Sequence, residues 1–215
     1  MSLFARPVRP TSAETALPGR STPAYAPPER NIVLDAPLLG PWPEGTQELY
    51  VGMGCFWGVE RIFWRIPGVV GTAAGYTGGY TPHPTYEEVC TAMTGHAEAV
   101  LVAYDPAVVT PDELFKAFWE NHDPTTKDRQ GNDVGSQYRS AIWWTTEEQR
   151  DAAERTRATF QAAIDEVGGG AITTEIDAFG DQPFYAAEDY HQQYLEKNPR
   201  GYCNHGPNGL TCHVA

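Results

Sequence analysis

The clearest hydrophobic pattern in the chain follows Cys55. Apolar side chains recur there every three or four residues, as on one face of an α-helix. They are Phe56, Val59, Phe63 and Ile66. Pro67-Gly68 should end this helix, and a short strand around 48–51 leads into it through Gly54. The pattern predicts a tight strand-to-helix turn with Cys55 at the N-terminus of the helix.

Strands and helices alternate along the rest of the chain. Apolar runs predict strands at 69–76, 97–104, 138–144 and 171–177. Helical spacing predicts helices at 86–91, from 111 onwards, at 147–167 and at 187–197. Thr110-Pro111-Asp112-Glu113 is typical of a capping box, and the polar stretch 123–137 predicts a loop. We expect a single α/β (α+β) domain: a mixed β-sheet with helices packed on it, a two-layer sandwich of ferredoxin-like type with a coil-rich C-terminal tail.

The chain divides into three parts by composition. Nine of the 18 prolines lie in the first 43 residues, so 1–45 should form an extended Pro-rich arm, either wrapped on the domain or loose. The regular pattern over 46–200 predicts the catalytic domain. The interval 201–215 is interrupted by Gly and Pro, which predicts a flexible tail that carries two cysteines.

Charge narrows the class of partner. The formal net charge is -13, which argues against nucleic acid or an anionic membrane, since both attract basic surfaces. No stretch approaches the roughly 20 apolar residues of a membrane helix, and no signal-peptide core is present, so we expect a soluble cytoplasmic protein. We also expect it to be a monomer. A cleaved transit peptide containing Arg6, Arg9 and Arg20 is less favoured because the prolines there oppose an amphipathic helix.

Two side chains suggest chemistry on physical grounds. Cys55 should face the positive end of the helix dipole, so we expect its thiolate to be favoured. Glu98 shares a predicted strand face with Val100 and Val102, and apolar surroundings would raise the pKa of its carboxyl, as suits a general acid. The alternatives are a cysteine that only fills a turn and a glutamate that reaches water at the start of its strand.

A run of motifs then points to one family. Gly54-Cys55-Phe56-Trp57-Gly58-Val59-Glu60 is followed in order by matching blocks at 75–79, 85–90, 95–100, 118–124, 130–133, 136–140 and 192–195. From about Tyr50 to Cys212, the chain resembles the A-type peptide methionine sulfoxide reductases. The resemblance implies an enzyme that reduces the S epimer of methionine sulfoxide, free and in proteins, and so repairs oxidised proteins.

The resemblance also implies the roles of particular residues. In the family, the residue that matches Cys55 attacks the sulfoxide sulfur, and those that match Phe56 and Trp57 line a pocket for the methyl group. Glu98 would be the acid, and three further residues would complete the network around the oxygen. These are Tyr86, Asp133 and Tyr138.

The remaining cysteines fit a redox cycle. After oxygen transfer Cys55 should be a sulfenic acid, which condenses readily with a second thiol. The resemblance implies that Cys203 resolves it, that Cys212 then forms a second disulfide with Cys203, and that thioredoxin reduces the product without a metal or other cofactor. An enzyme that uses one tail cysteine stays an alternative, and Cys90 should be a buried helical thiol without a catalytic role.

Two other kinds of function stay open at this point. A zinc-clipped interaction module would use Cys203, His205, Cys212 and His213, although their spacing does not resemble common zinc-finger patterns. A cysteine peroxidase would keep the reactive thiol. The aromatic pair after Cys55 instead favours an apolar substrate group.

Overall fold

The computed structural model describes residues 9–10 and 12–214. The strands are β1 Arg30–Asn31, β2 Ala36–Pro37, β3 Gln47–Met53, β4 Val69–Thr77, β5 Ala97–Tyr104, β6 Arg129–Gln130, β7 Asp133–Val134, β8 Ser140–Trp144, β9 Glu175–Ala178 and β10 Tyr185–Ala186. The helices are α1 Phe56–Phe63, α2 Tyr86–Cys90, α3 Pro111–Glu120, α4 Glu147–Glu166 and α5 Tyr194–Lys197. Arg6 of the considered transit segment lies outside the described residues.

The central sheet confirms the expected fold. Its strand order is β10-β4-β5-β3-β8-β9, and every neighbouring pair is antiparallel except the parallel pair β8 and β9. The segment β3-α1-β4-β5-α3-β8 therefore forms a βαββαβ unit of the ferredoxin-like kind, with β5 and β3 in the middle of the sheet.

The two faces of β5 pack against different layers, and all eight of its residues are buried. Val100, Val102 and Tyr104 lie in the core formed with α1, α3 and α4. Ala97, Ala99, Leu101 and Ala103 lie in a second cluster with Leu38 of the N-terminal arm. Glu98 belongs to the face that carries the helices, so its side chain lies on the same side of the sheet as α1.

The described part of the arm lies on the domain. Arg9 forms an ion pair with Glu175 at 2.8 Å, and Arg20 pairs with Glu88 at 2.7 Å. Asn31 Nδ2 donates to the carbonyl oxygen of Thr72 at 2.9 Å. Whether the arm and the tail are separable units stays a prediction. No helix among the described residues is long and apolar enough to cross a bilayer.

Local caps explain where most helices begin. The capping box predicted at Thr110 is present, with Glu113 N donating to Thr110 Oγ1 at 3.3 Å and Thr110 N donating to Glu113 Oε2 at 2.8 Å. Thr85 and Thr146 cap α2 and α4 in the same way. α1 ends at Phe63, earlier than the pattern predicts.

The predicted helix at 187–197 is wrong. This segment is a 3-10 turn at Asp189–His191 followed by the short α5. Gln192 Oε1 accepts the N–H of Ala74 at 2.9 Å, and the next residue, Gln193, has a left-handed φ of 47°. Side-chain bonds to the backbone of β4 therefore compete with a continuous helix.

Two strand boundaries also differ from the prediction. β8 begins at Ser140 because Ser136–Tyr138 forms a 3-10 turn. β9 begins at Glu175 rather than at 171, because Thr173 N and Oγ1 both donate to the carbonyl of Pro124, at 2.8 and 3.1 Å. The loop predicted at 123–137 is confirmed, although it contains the small β6 and β7 pair.

Glu60 of α1 should be an essential part of this packing. It is fully buried and accepts bonds from Gln193 N at 2.8 Å, Gln193 Nε2 at 2.7 Å and Thr72 Oγ1 at 3.1 Å. Glu60→Ala leaves these donors without an acceptor, so we expect the free energy of unfolding to fall by about 3 kcal/mol. Denaturant titration would measure it. The exposed Glu166→Ala is the control, expected to change stability by less than about 0.5 kcal/mol, and an equally small effect at Glu60 would contradict this assignment.

Candidate active site

The predicted strand-to-helix turn is present at Cys55. Gly54 has a φ of 100°, a conformation that L side chains rarely adopt, and a Cβ there would lie 2.5 Å from Cβ of Gln130. Cys55 follows as the N-cap residue of α1 and is 7% exposed. The glycine therefore lets the chain turn and the loop of Gln130 approach closely.

A cavity of about 120 Å³ reaches the Cys55 thiol. All seven residues predicted for catalysis or substrate binding line it, together with Tyr202. The seven are Cys55, Phe56, Trp57, Tyr86, Glu98, Asp133 and Tyr138. Pockets for drug-sized ligands are typically about 300–1,000 Å³, so this one has room for the tip of a side chain. The structure brings the seven together, while their individual roles stay predictions.

Glu98 reaches the cavity from the middle of the sheet. It is 1% exposed, and its Oε2 accepts the N–H of Phe56 at 3.1 Å, so the carboxyl lies against the first turn of α1. Burial raises the pKa of Glu98 to about 8, against the opposing effect of the Phe56 N–H, and the nearby carboxylate of Asp133 acts in the same direction as burial. At neutral pH the group is therefore mostly a protonated acid.

The expectation that the Cys55 thiolate is favoured is wrong for this state of the molecule. Burial raises the pKa of Cys55 well above that of a free thiol, and the charge of Glu98 adds to the rise. The N–H of Trp57 in the first turn lowers the pKa, as the helix-dipole argument requires. Desolvation outweighs it, so Cys55 is a neutral thiol.

Aromatic rings form one wall of the cavity. Phe56 is buried, and the ring of Trp57 stacks on Tyr194 with centroids 3.7 Å apart. Trp57 Nε1 donates to Nδ1 of His191 at 2.9 Å. Burial lowers the pKa of His191 to about 4, so the imidazole is neutral and can accept this bond. Stacking on Tyr194 fixes one face of the Trp57 ring, and the hydrogen bond to His191 fixes its edge.

The sequence argument missed three of these surrounding side chains: His191, Tyr194 and Tyr202. Tyr194 belongs to one of the matching blocks, and His191 immediately precedes that block. For these two residues, the signal in the sequence was their position in or next to this block. Nothing in the local periodicity shows that these rings pack against Trp57 or line the cavity, because the contacts join segments more than 130 residues apart.

Two half-buried tyrosines, Tyr86 and Tyr138, also line the cavity. Burial raises the pKa of Tyr86 and of Tyr138 far above the ordinary value, so both hydroxyls stay protonated and can donate. Tyr86 N donates to Glu188 Oε1 at 2.9 Å, which fixes the start of α2. Cys90 at the end of α2 is half-buried rather than buried as predicted, because that end of the helix is partly open to solvent.

The tail lies across the edge of the site. Asp133 accepts bonds from Tyr202 Oη at 3.1 Å and from Asn204 Nδ2 at 2.8 Å. The sulfur of Cys203 lies against the first turn of α1, where a Cβ on Gly58 would be 2.9 Å from it. Cys55 and Cys203 are both free thiols, and both lie at the N-terminal end of α1.

Cys212 occupies a different place. It is fully buried with its sulfur 3.8 Å from the carbonyl oxygen of Thr156 in α4, and burial raises its pKa to about 11. Lys116 Nζ donates to the Cys212 carbonyl at 2.9 Å, which ties the tail end to α3. The proposed zinc ligands therefore have separate surroundings, and no cluster of three or more His, Cys, Asp or Glu suited to a metal occurs in the described ranges.

Comparison with known proteins identifies the family. The family model "Peptide methionine sulfoxide reductase" matches residues 47–211, most of the chain. The chain belongs to the peptide methionine sulfoxide reductase family. The match begins at the first residue of β3 and includes Cys203, but it ends one position before Cys212.

Relatives in this family are similar over nearly the whole chain. "Peptide methionine sulfoxide reductase MsrA" of Salinispora arenicola is 61% identical over 203 residues, which cover 94% of this chain and 91% of the relative. Among solved structures, "Methionine sulfoxide reductase A of Corynebacterium diphtheriae" has a TM-score of 0.80 at 44% identity, covering 98% of this chain and 100% of that chain. The reduced form of Mxr1 from Saccharomyces cerevisiae has a TM-score of 0.67 at 33% identity, covering 76% and 91%.

Gly58→Ala tests whether the tail is seated on α1. A Cβ there would lie 2.3 Å from His205 Nδ1 and 2.9 Å from the Cys203 sulfur, so the tail must shift away. We expect alkylation of Cys203 to accelerate about tenfold although alanine favours the helix itself. Gly206→Ala is the matched control, because nothing lies within 4 Å of a Cβ at that position. Equal alkylation rates in the two variants would contradict the packing of the tail on α1 at Gly58.

Proposed function

We propose that the protein is a peptide-methionine (S)-S-oxide reductase in which Cys55 is the nucleophile and Glu98 is the acid. The observation that carries this proposal is one small cavity that joins a thiol, a carboxyl with a pKa of about 8 and an aromatic wall. Membership of the reductase family supports the reaction class. A methyl sulfoxide group has a sulfur for the thiol to attack, an oxygen for the carboxyl to protonate and a methyl group for the aromatic wall.

The chemistry requires the oxygen to leave as it is protonated. With the methyl group against Phe56 and Trp57, the sulfoxide oxygen points to Glu98 and the two tyrosine hydroxyls. Burying one methyl contributes only about 0.8 kcal/mol, so the wall mainly orients the substrate. Glu98 donates its proton to the oxygen, and its carboxylate can take up the proton that Cys55 loses. The Cys55 sulfur gains the hydroxyl and becomes a sulfenic acid, while the substrate leaves as methionine.

Recycling uses the tail cysteines. Cys203 attacks the sulfenic sulfur, so that a disulfide forms and water leaves. Because Cys212 is buried against α4, the tail must release it before a second disulfide with Cys203 can form. Thioredoxin is the proposed reductant, by exchange with the disulfide at the surface. An enzyme that presents only the first disulfide to its reductant is the alternative.

The biological setting follows from the substrate. A cavity that fits a side-chain tip accepts free methionine sulfoxide and exposed sulfoxides in proteins, so the proposed role is protein repair under oxidative stress. The protein acts as a monomer in the cytoplasm in this proposal, and its cycle uses no metal or organic cofactor.

Separate epimers of a methionine sulfoxide peptide test the assignment. With thioredoxin and its reductase as electron source, we expect the parent protein to reduce the S epimer and to leave the R epimer unchanged. Cys55→Ser should lose the activity because a hydroxyl is a far weaker nucleophile at sulfur than a thiol. Cys90→Ser, expected to keep most of the activity, is the control. Turnover of either epimer by Cys55→Ser would remove this residue from the mechanism.

The pH dependence of the first oxygen transfer tests Glu98. Its pKa is raised, so the acid is present below about 8 and is lost as the pH rises through that value. We expect the single-turnover rate of the parent to be level below this pH and to fall above it. Glu98→Gln should be slower by about 10²–10⁴-fold and should lack the inflection. A Glu98→Gln variant that keeps both the rate and the inflection would rule out this acid.

A further inference from the structure

Four successive tail residues contact the body of the site. Tyr202 and Asn204 donate to the two carboxyl oxygens of Asp133, and His205 Nε2 donates to the carbonyl oxygen of Met53 at 2.7 Å. Between these bonds, the Cys203 sulfur receives an N–H from Arg61 Nη2 at 3.0 Å. The thiol is therefore held by its own side chain as well as by its neighbours.

Arg61 belongs to the same helix as the proposed nucleophile. It lies in the last turn of α1, six residues after Cys55, which corresponds to about 9 Å along the helix axis. No acidic side chain in the described ranges forms an ion pair with Arg61. Its guanidinium instead directs an N–H at the Cys203 sulfur, an unusual use of a surface cation.

The other titratable groups around this sulfur supply no positive charge. Burial lowers the pKa of His205 to about 4, and its Nε2–H donates to a carbonyl, so the imidazole is neutral. Asp133 can contribute only negative charge, and Cys55 is a neutral thiol. Arg61 is the cation that hydrogen-bonds to Cys203 in the described part of the chain.

A charged donor holds a sulfur atom firmly, because hydrogen bonds from a charged group are stronger than neutral ones. One sulfur attacks another only when it can approach it, so a bond that fixes the Cys203 sulfur bears directly on disulfide formation. The geometry also keeps the sulfur at the surface of α1, close to the turn that carries Cys55.

We propose that Arg61 is a positioning residue for disulfide formation, which holds the Cys203 sulfur against α1 in a place from which it can attack oxidised Cys55. The inference rests on the proposed cycle through a Cys55 sulfenic acid. In the step, the sulfur–sulfur bond forms and the sulfur–oxygen bond of Cys55 breaks. The Cys203 sulfur is oxidised by the same two electrons that reduce the Cys55 sulfur, and the departing hydroxide takes the proton that Cys203 has released, giving water.

The test separates oxygen transfer from disulfide formation. A Cys90→Ala, Cys212→Ala background keeps only Cys55 and Cys203, so one disulfide can form. The protein is mixed with one equivalent of an S-sulfoxide peptide, the reduced methionine peptide is measured, and dimedone traps the remaining sulfenic acid at timed intervals. Arg61→Gln, Arg61→Lys and the exposed control Arg65→Gln are compared with this background.

For Arg61→Gln we expect the formation of one reduced peptide per protein to be unchanged, because Cys55 and its cavity are intact. The sulfenic acid should persist about tenfold longer near pH 7. Arg65→Gln should match the background. An unchanged sulfenic acid lifetime in Arg61→Gln, or an equal change in Arg65→Gln, would overturn the proposal.

Arg61→Lys keeps the test decisive even if Arg61→Gln does not fold. Lysine preserves the charge but not the forked donor, so its sulfenic acid lifetime should lie between those of the background and Arg61→Gln. A lifetime equal to either one would overturn the role assigned to the guanidinium. Failure of the background protein, with Arg61 intact, to form the reduced peptide would instead refute the proposed function, so the two failures are distinguishable.

Discussion

The site depends on the burial of a carboxyl and a thiol against the first turn of one short helix. In the described part of the chain, Glu98 accepts a hydrogen bond from the Phe56 N–H and has no cation beside it, so its charged form is costly. Cys55 shares that environment. Both groups are therefore neutral at rest, and the Glu98 carboxyl carries its proton at the cavity, where the proposed reaction needs one for the departing oxygen. The helix dipole, which acts on the thiol in the opposite direction, is the weaker influence.

The eight-residue α1 organises the remainder of the machinery. Its N-terminus carries Cys55 and the aromatic wall, while Gly58 leaves room for the tail thiol and Arg61 bonds to it. The buried Glu60 binds Gln193, whose neighbour Tyr194 stacks on Trp57. The proposed nucleophile, substrate wall and resolving thiol are thus all held by one helix, which limits the relative movement that each proposed step requires.

The sequence predicts local features better than it predicts environments. The apolar run at 97–104 predicts β5 with its observed bounds, and Thr110 marks the start of α3 because its cap is local. The helix predicted at 187–197 fails because Gln192 bonds to a strand more than a hundred residues away. The thiolate expected at Cys55 fails for the same reason: dipoles are local, but desolvation depends on the whole fold. The grouping of the site residues came from resemblance, not from periodicity.

The protonation state of Glu98 in the resting protein is the central claim, and carbon NMR of side-chain-labelled glutamate measures it directly. The Glu98 resonance can be assigned by its loss in Glu98→Gln. The account predicts that this carboxyl titrates with a midpoint near 8. A midpoint in the ordinary range, about 4.3, would mean that the group is a carboxylate at neutral pH and would contradict the account.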